Sequence, residues 1–225
     1  METIVISLGG SLIVPSEVDV NFLKKFKQMI LKSIKVKRFI IICGGGKTCR
    51  KYQDAAGKVT ELTHEDLDWL GIHATRLNAN LIRTIFRGYA YSRIIKNPDE
   101  KIDLDKPLFI AAGYKPGSST DFDAVLLAKN FGVKTLINLT DMDYVYDKDP
   151  DKYKNAKPIK QMKWSEYRKI SGSVWNPGLS LPFDPVAARE AQKNNLKVAI
   201  MNGRNIPNLE NFLNGKNFEG TVIEG

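Results

Sequence analysis

Six short apolar runs punctuate the chain: TIVISL (3–8), RFIIIC (38–43), PLFIAA (107–112), TLINLT (135–140), KVAIMN (197–202) and TVIE (221–224). Within each run the apolar positions are near-continuous and rich in Ile and Val. That is the pattern of strands buried on both faces, whereas a half-exposed strand alternates. Amphipathic stretches separate most of the runs. Strand-helix alternation predicts an α/β fold with a mainly parallel sheet and helices on both sides.

The clearest of these stretches is NFLKKFKQMILKSIKVKR (21–38). Phe22, Leu23, Phe26, Ile30 and Ile34 form one stripe, while Lys24, Lys25, Lys27, Lys32 and Lys35 lie largely off it. This predicts a helix with a solvated basic face. The longest predicted helix starts at Thr63, with Asp66 placed to complete a capping box. Leu67, Leu70, Ala74, Leu77, Leu81 and Ile85 then recur at spacings of three and four, a narrow seam of the kind two helices use against each other. Packing against the core and contact with a second copy both fit this seam. The polar stretch KNPDEKIDLDKP (96–107) reads as a surface loop. No repeat, low-complexity segment or linker divides the sequence, so a single domain over 1–225 is expected.

Composition narrows the functional classes. No apolar run approaches the roughly 20 residues of a membrane span, and no basic-then-apolar leader opens the sequence, so a cytoplasmic protein is expected. Two cysteines, Cys43 and Cys49, make no disulfide framework, and two histidines make no zinc site. The formal net charge of +9 calls for anionic partners: nucleic acid, an acidic membrane or phosphorylated metabolites. No basic strand rich in aromatic residues offers a platform for single strands. The glycines favour the metabolites.

The first two runs each end in a glycine turn, Gly9-Gly10-Ser11 and Gly44-Gly45-Gly46. In a parallel sheet ligands bind beyond the carboxyl ends of the strands. Glycine there lets the backbone approach a phosphate and point its amides at it, and a following helix N-terminus adds partial positive charge. Two such turns suggest two phosphate groups held side by side. The sequence CGGGKTCRKY (43–52) is not a P-loop, because Ile41 stands where that pattern requires its first glycine. Lys47, Arg50 and Lys51 follow instead. In a helix starting near residue 47, Arg50 lies one turn from the glycines and can meet the same anion as a fork, although an exposed basic face also accounts for these residues.

Three further stretches carry candidate chemistry. In GYKPGSSTDFDAV (113–125), Gly113, Pro116 and Gly117 shape a loop, and Ser118, Ser119 and Thr120 supply hydroxyls and backbone donors. Thr120 with Asp123 reads as a capping pair, which leaves Asp121 over. In LTDMDYVYDKDPDKY (139–153), Asp147, Asp149 and Asp151 hint at a calcium loop. Lys152 in place of its glycine and Pro158 in place of its glutamate exclude that reading. A polar turn that holds a nucleotide base, with Tyr146 as its apolar wall, fits better. In LPFDPVAARE (181–190), Asp184 before Pro185 is a helix start, or else a functional carboxylate.

Taken together, GGGKTCRKY, DLDWLGIHATRLNANL, GSSTDFDAVLLA, TDMDYVYDKDP and FDPVAAR, in this order and spacing, resemble the amino acid kinase superfamily and, within it, the archaeal-type uridylate kinases. The resemblance covers essentially the whole chain. It implies a three-layer αβα sandwich around a mainly parallel eight-stranded sheet. It also implies transfer of the ATP γ-phosphoryl group to UMP with Mg2+, in pyrimidine nucleotide biosynthesis, and a hexamer built as a trimer of dimers. By position, Gly9, Gly10 and Ser11 would face the transferring phosphates. Gly45 would hold the UMP phosphate, while Gly46 and Arg50 would meet ATP. Asp68 would take the ribose hydroxyls. The loop of Tyr114, Lys115, Pro116, Gly117, Ser118, Ser119 and Thr120 would close on uracil and its phosphate. Thr140, Tyr146 and Asp149 would line the ATP side, and Asp121 would organise the catalytic centre. No nucleic acid or membrane partner is implied.

The sequence also departs from the wider superfamily. Ser7 and Asp184 stand where many members carry lysine, and Tyr144 replaces the glycine of VDGVY, which points to a reshaped adenine side. Cys43 precedes the glycines where isopentenyl phosphate kinases have histidine. Without those lysines, Lys47, Arg50 and magnesium are left to carry the positive charge. A kinase of another small phosphate acceptor, and a nucleotide-binding storage or regulatory protein without turnover, remain as alternatives.

Overall fold

The structure, a computed structural model, describes residues 1–150, 152–172 and 181–225; Asp151 lies outside the described residues. The first half of the chain runs β1 Glu2–Leu8, α1 Gly10–Ile13, α2 Val20–Ser33, β2 Lys37–Cys43, α3 Gly46–Gly57, α4 His64–Ile85, β3 Ala90–Ile95, β4 Leu108–Ala111 and α5 Thr120–Asn130. The second half runs β5 Thr135–Thr140, β6 Val145–Tyr146, β7 Pro158–Ile159, β8 Gln161–Met162, α6 Trp164–Ser171, α7 Pro185–Lys193, β9 Lys197–Asn202, α8 Ile206–Leu213 and β10 Thr221–Ile223. All six apolar runs are strands. Eight strands form one sheet in the order β3-β4-β2-β1-β5-β9-β10-β8, and β6 pairs with β7 apart from it. Within the large sheet only the β9/β10 pairing is antiparallel.

Alternate residues of each strand feed opposite faces. Ile4, Ile6 and Leu8 of β1 join Phe26 and Ile30 of α2, Ile82 of α4 and Leu209 of α8 in one cluster. Val5 of β1 joins Leu127 of α5, Trp164 and Tyr167 of α6 and Ala187 of α7 in the other. The result is a three-layer αβα sandwich. The basic stretch behaves as expected in α2, where Phe22, Leu23, Phe26 and Ile30 are buried together with Met29. Residues 96–107 carry no helix or strand.

Register is what positions the site. Leu8 lies level with Cys43 on β2 and with Leu139 on β5. Ile42 lies level with Ala111, and Thr140 with Asn202. The turns that follow β1, β2, β4, β5 and β9 therefore leave the sheet along one edge.

Local signals set the helix starts. Thr63 and Asp66 form the expected capping box of α4. Asp184 caps α7, accepting from the amides of Val186 at 2.5 Å and Ala187 at 2.9 Å, with Pro185 in the first turn. The capping pair read for α5 is corrected. Ser119, not Thr120, caps it by accepting from Phe122 N at 3.1 Å, and Asp123 serves elsewhere.

The seam read along α4 divides between the core and the surface. Its buried positions are Ile72, Ala74, Thr75, Asn78, Ala79 and Ile82. Leu81 and Ile85 rest against the core, but Leu77 is 62% exposed. Between Ile72 and Ile82 the inward face is small and polar, because it approaches backbone turns closely, and part of the apolar seam faces away from the core.

The β6 segment is tied to the sheet by Thr221, whose fully buried hydroxyl accepts from Val145 N at 2.8 Å and donates to Ile159 O at 2.5 Å. Thr221→Val keeps the shape and strands both backbone groups. It should lower unfolding free energy by about 1–3 kcal/mol in urea titrations. A loss below a few tenths would show that this tie is not needed.

Candidate active site

The two glycine turns meet backbone to backbone. A Cβ placed on Gly10 would lie 2.0 Å from Gly46 N, and one on Gly46 would lie 2.2 Å from Gly10 O. Gly46 also has φ +62°, a left-handed conformation that suits glycine. Gly9 N donates to Leu139 O and Gly44 N to Leu8 O, both at 2.9 Å, so these two amides serve the sheet and not a ligand. The amides of Gly10, Ser11, Gly45 and Gly46 donate to no group among the described residues. Gly46 opens α3 one residue before the expected start.

Two cavities lie along this edge of the sheet, and Gly9, Gly10 and Ser11 line neither. On the β2/β4 side a space of about 330 Å³ is lined by Gly45, Gly46, Arg50, Asp68, Ser118 and Thr120, with Cys49, Gln53, Thr75 and Gly113 among the rest. On the β5 side a space of about 880 Å³ is lined by Asp141, Val145, Tyr146, Lys148, Asp149 and Pro182, among others. Thr140 ends β5 at its rim, where its hydroxyl donates to Asp141 Oδ1 at 3.2 Å. Tyr146 is among the lining residues. Tyr144 does not line this space; its ring stands edge-on to Tyr146, centroids 6.4 Å apart. Asp149 pairs with Lys152 at 3.2 Å.

Residues 114–118 are held by side chains. Asp68 Oδ2 accepts from Gly117 N at 2.7 Å, which leaves Oδ1 over. Asp123 accepts from Tyr114 N at 2.9 Å and from the Ser118 hydroxyl at 2.5 Å. Arg76 donates to Tyr114 O at 3.1 Å, and Thr75 Oγ1 accepts from Gly113 N at 2.9 Å. Tyr114, Lys115, Pro116, Gly117 and Ser119 do not line the smaller cavity, unlike Ser118 and Thr120. Lys115 is exposed, with Nζ 5.2 Å from the Tyr114 ring centroid.

The cationic residues separate. Arg50 lines the smaller cavity. Lys47 is exposed and lines neither cavity. Lys51 is drawn away, donating to Ser16 O at 2.9 Å and pairing with Glu17 at 3.1 Å.

Behind the turns lies an acidic centre. The Ser7 hydroxyl donates to Asp121 Oδ1 at 2.9 Å, and Asp184 N to Asp121 Oδ2 at 3.3 Å. Asn138 donates to Pro182 O at 2.7 Å and so fixes the approach to Asp184. Burial pushes the Asp121 carboxyl up to about 6; the Ser7 bond opposes this and the Asp184 charge adds to it. Burial likewise raises Asp123 to about 6 against the bonds from Ser118 and Tyr114 N. Among the described residues no group of three or more His, Cys, Asp or Glu side chains could hold a metal ion.

Sequence reasoning missed Thr75, Arg76, Asn78 and Arg204. Asn78 donates to Gly44 O and Gly45 O, and Arg204 donates to Ser11 O at 3.2 Å, so each glycine turn has its own side-chain brace. The one available signal was a pair of polar residues, Thr75 and Asn78, on the inward face of an amphipathic helix.

A folded-state carboxyl near 6 against an ordinary 3.8 binds its proton more tightly than the unfolded chain does. Asp121 therefore withdraws stability as pH rises from about 4 to about 6, with no further change above. In Ser7→Ala the bond that favours the carboxylate is gone. The Asp121 midpoint, followed by carboxyl 13C shifts with Asp123 as internal reference, should rise above its wild-type value. An unmoved midpoint would contradict the Ser7 contact.

Residues 2–202 match the model of the amino acid kinase family. A protein named uridylate kinase from Thermoplasma volcanium is 38% identical over 226 residues, spanning 99% of this chain and 98% of its own. One of the same name from Pyrococcus abyssi is 34% identical over 224 residues, spanning 98% and 99%. The crystal structure of uridylate kinase from Archaeoglobus fulgidus superposes with a TM-score of 0.83 at 27% identity, covering 99% of this chain and all of its own. A Bacillus anthracis UMP kinase structure shares the fold at 18% identity, with a TM-score of 0.80 over 99% of this chain and 96% of its own.

Proposed function

The chain belongs to the amino acid kinase family, and from that premise we propose that it transfers the γ-phosphoryl group of ATP to UMP, giving ADP and UDP. The observation that carries this reading is the contact of Gly10 with Gly46. It sets two groups of unengaged amides side by side, as in-line transfer between a triphosphate and a monophosphate requires. We propose that the 225 residues work as one domain.

UMP is assigned to the smaller cavity, with its phosphate on Gly45, its ribose on Asp68 and the 114–120 loop over its base. ATP is assigned to the larger one, beside Thr140, Tyr146 and Asp149, with its phosphates crossing Gly10 and Ser11; Gly46, which lines the smaller cavity, is reassigned to the UMP phosphate. An oxygen of the UMP phosphate attacks the γ-phosphorus, and the bond to the β-γ bridging oxygen breaks, releasing ADP. Positioning and charge neutralisation carry most of such a step. Magnesium would arrive with the ATP oxygens and neutralise part of their charge. Arg50 supplies a fork-shaped cation where the turns meet, and Lys47, exposed at the first turn of α3, adds another. Asp121 organises the centre by joining β1, through Ser7, to the start of α7, through Asp184.

A homo-oligomer, a hexamer in the form the family resemblance implies, is assigned to the exposed side of α4, where Trp69 and Leu77 stand in solvent. Light scattering on the eluted protein should return six protomers; a monomer ends that assignment. We propose a cytoplasmic location; among the described residues no helix is long and apolar enough to cross a membrane.

ADP release measured across a panel of nucleoside monophosphates should be largest with UMP. Binding without release would favour a storage or regulatory protein. Loss of one well-aimed donor typically costs about 3 kcal/mol. Arg50→Ala should therefore lower kcat/KM about a hundredfold or more, and kinetics near wild type would remove Arg50 from the site. Asp68→Ala should raise KM for UMP well beyond KM for ATP, and equal effects would displace it from the ribose.

A further inference from the structure

Three consecutive glycines are a poor cradle on their own, because each has wide backbone freedom. Something outside the turn must set their peptide planes. Asn78, in the middle of α4 and 3% exposed, is placed to do so. Its carboxamide nitrogen donates to Gly44 O at 2.8 Å and to Gly45 O at 3.1 Å. These carbonyls belong to two successive peptide groups, whose N–H groups are those of Gly45 and Gly46. Neither peptide is cis. In a planar trans peptide the N–H points opposite the C=O, so both amides are turned away from Asn78. Gly45 and Gly46 line the smaller cavity, and Asn78 does not. Asp68, Gly71, Ile72 and Thr75 of the same helix do line it, so Asn78 sits one turn further along, behind the glycines.

We infer that Asn78 is the positioning residue for the acceptor phosphate: it holds two carbonyls from behind and thereby aims the Gly45 and Gly46 amides into the cavity. This rests on the assignment of UMP to that cavity. Amides preset in this way meet the anion without reorganising, and such preorganisation is where fixed donors are most effective. Asn78 touches no substrate and acts through the turn. The brace on the other turn, Arg204 on Ser11 O, is a separate contact. Loss of Asn78 should therefore be felt by one substrate.

The test is Asn78→Asp in the full chain. The substitution keeps size and shape but sets a carboxyl oxygen against two carbonyl oxygens. KM for UMP should rise at least tenfold, with KM for ATP held within about twofold. If KM moves for both substrates alike, or for neither while only kcat and melting temperature fall, Asn78 is structural and the inference fails. Should Asn78→Asp not fold, Asn78→Ser retains a donor too short to reach both carbonyls. Calorimetry on that variant should show at least tenfold weaker UMP binding with uridine binding unchanged; equal weakening of both overturns the inference. Wild-type protein that releases no ADP with UMP in the same assay refutes the acceptor assignment itself, a different failure from that of the brace.

Discussion

The flush ending of β1 and β2 is the constraint on which the rest of the molecule depends. Leu8 and Cys43 are register partners, so the residues that follow them emerge side by side. The space between them admits no side chain, because a Cβ on Gly10, Gly44 or Gly46 would overlap backbone of the facing turn. A register slip of one residue would exchange the two faces of a strand and separate the turns. Near-continuous apolar strands are therefore more than a core. Val5 and Ile40 bury toward one layer while Ile4, Ile6 and Ile41 bury toward the other, and this two-sided burial pins the register that lets two glycine turns touch.

Helix α4 converts that contact into a site. Along its inward face, Asp68 holds Gly117 N, Thr75 holds Gly113 N and Asn78 holds the Gly44 and Gly45 carbonyls. One rigid element thus sets both walls of the smaller cavity. The requirement has a cost in packing. Bulky apolar residues at these positions would hold the helix off the glycine turn and leave buried backbone groups unpaired, which is expensive. The helix instead buries small and polar residues here and recovers its apolar packing further along, at Ile82 and Phe86.

This explains what the sequence disclosed and what it did not. Strands such as RFIIIC and KVAIMN were legible because burial on both faces leaves an unbroken apolar run. Strand β3, AYSRII, was not read as a strand because it lies at the sheet edge, where Ser92 and Arg93 face solvent and the register shifts. Strands β6, β7 and β8 are two residues each, too short for any period. Caps at Thr63 and Asp184 were readable because their partners lie within three residues. The α5 cap was misread by one position because Ser118, Ser119 and Thr120 are interchangeable by pattern, and only the tertiary pull of Tyr114 N and Ser118 on Asp123 separates them. The braces are long-range. Asn78 lies 34 residues from Gly44, and Ser7 lies 114 residues from Asp121, so no local pattern reveals either.

The same contacts bear on how the centre would accommodate the triphosphate of the proposed reaction without the lysines usual in the wider superfamily. Asp121 and Asp184 lie together with Ser7, a neutral hydroxyl, as their neighbour on β1. Two exposed carboxylates in that place would repel an incoming polyphosphate. Both are blunted here. The Asp184 carboxylate is spent on the N-terminus of α7, accepting two backbone amides, where the helix dipole stabilises negative charge. Asp121 is half-buried, and its two oxygens already accept from Ser7 and from Asp184 N. A lysine introduced at position 7 would therefore not simply restore a lost catalytic charge. It would break the Ser7 bond and replace a neutral hydroxyl, 3% exposed, with a cation in a space shaped for a much smaller group. In the proposed reaction the positive charge would come instead from the rim, at Arg50, and from amides that the two glycine turns leave unengaged.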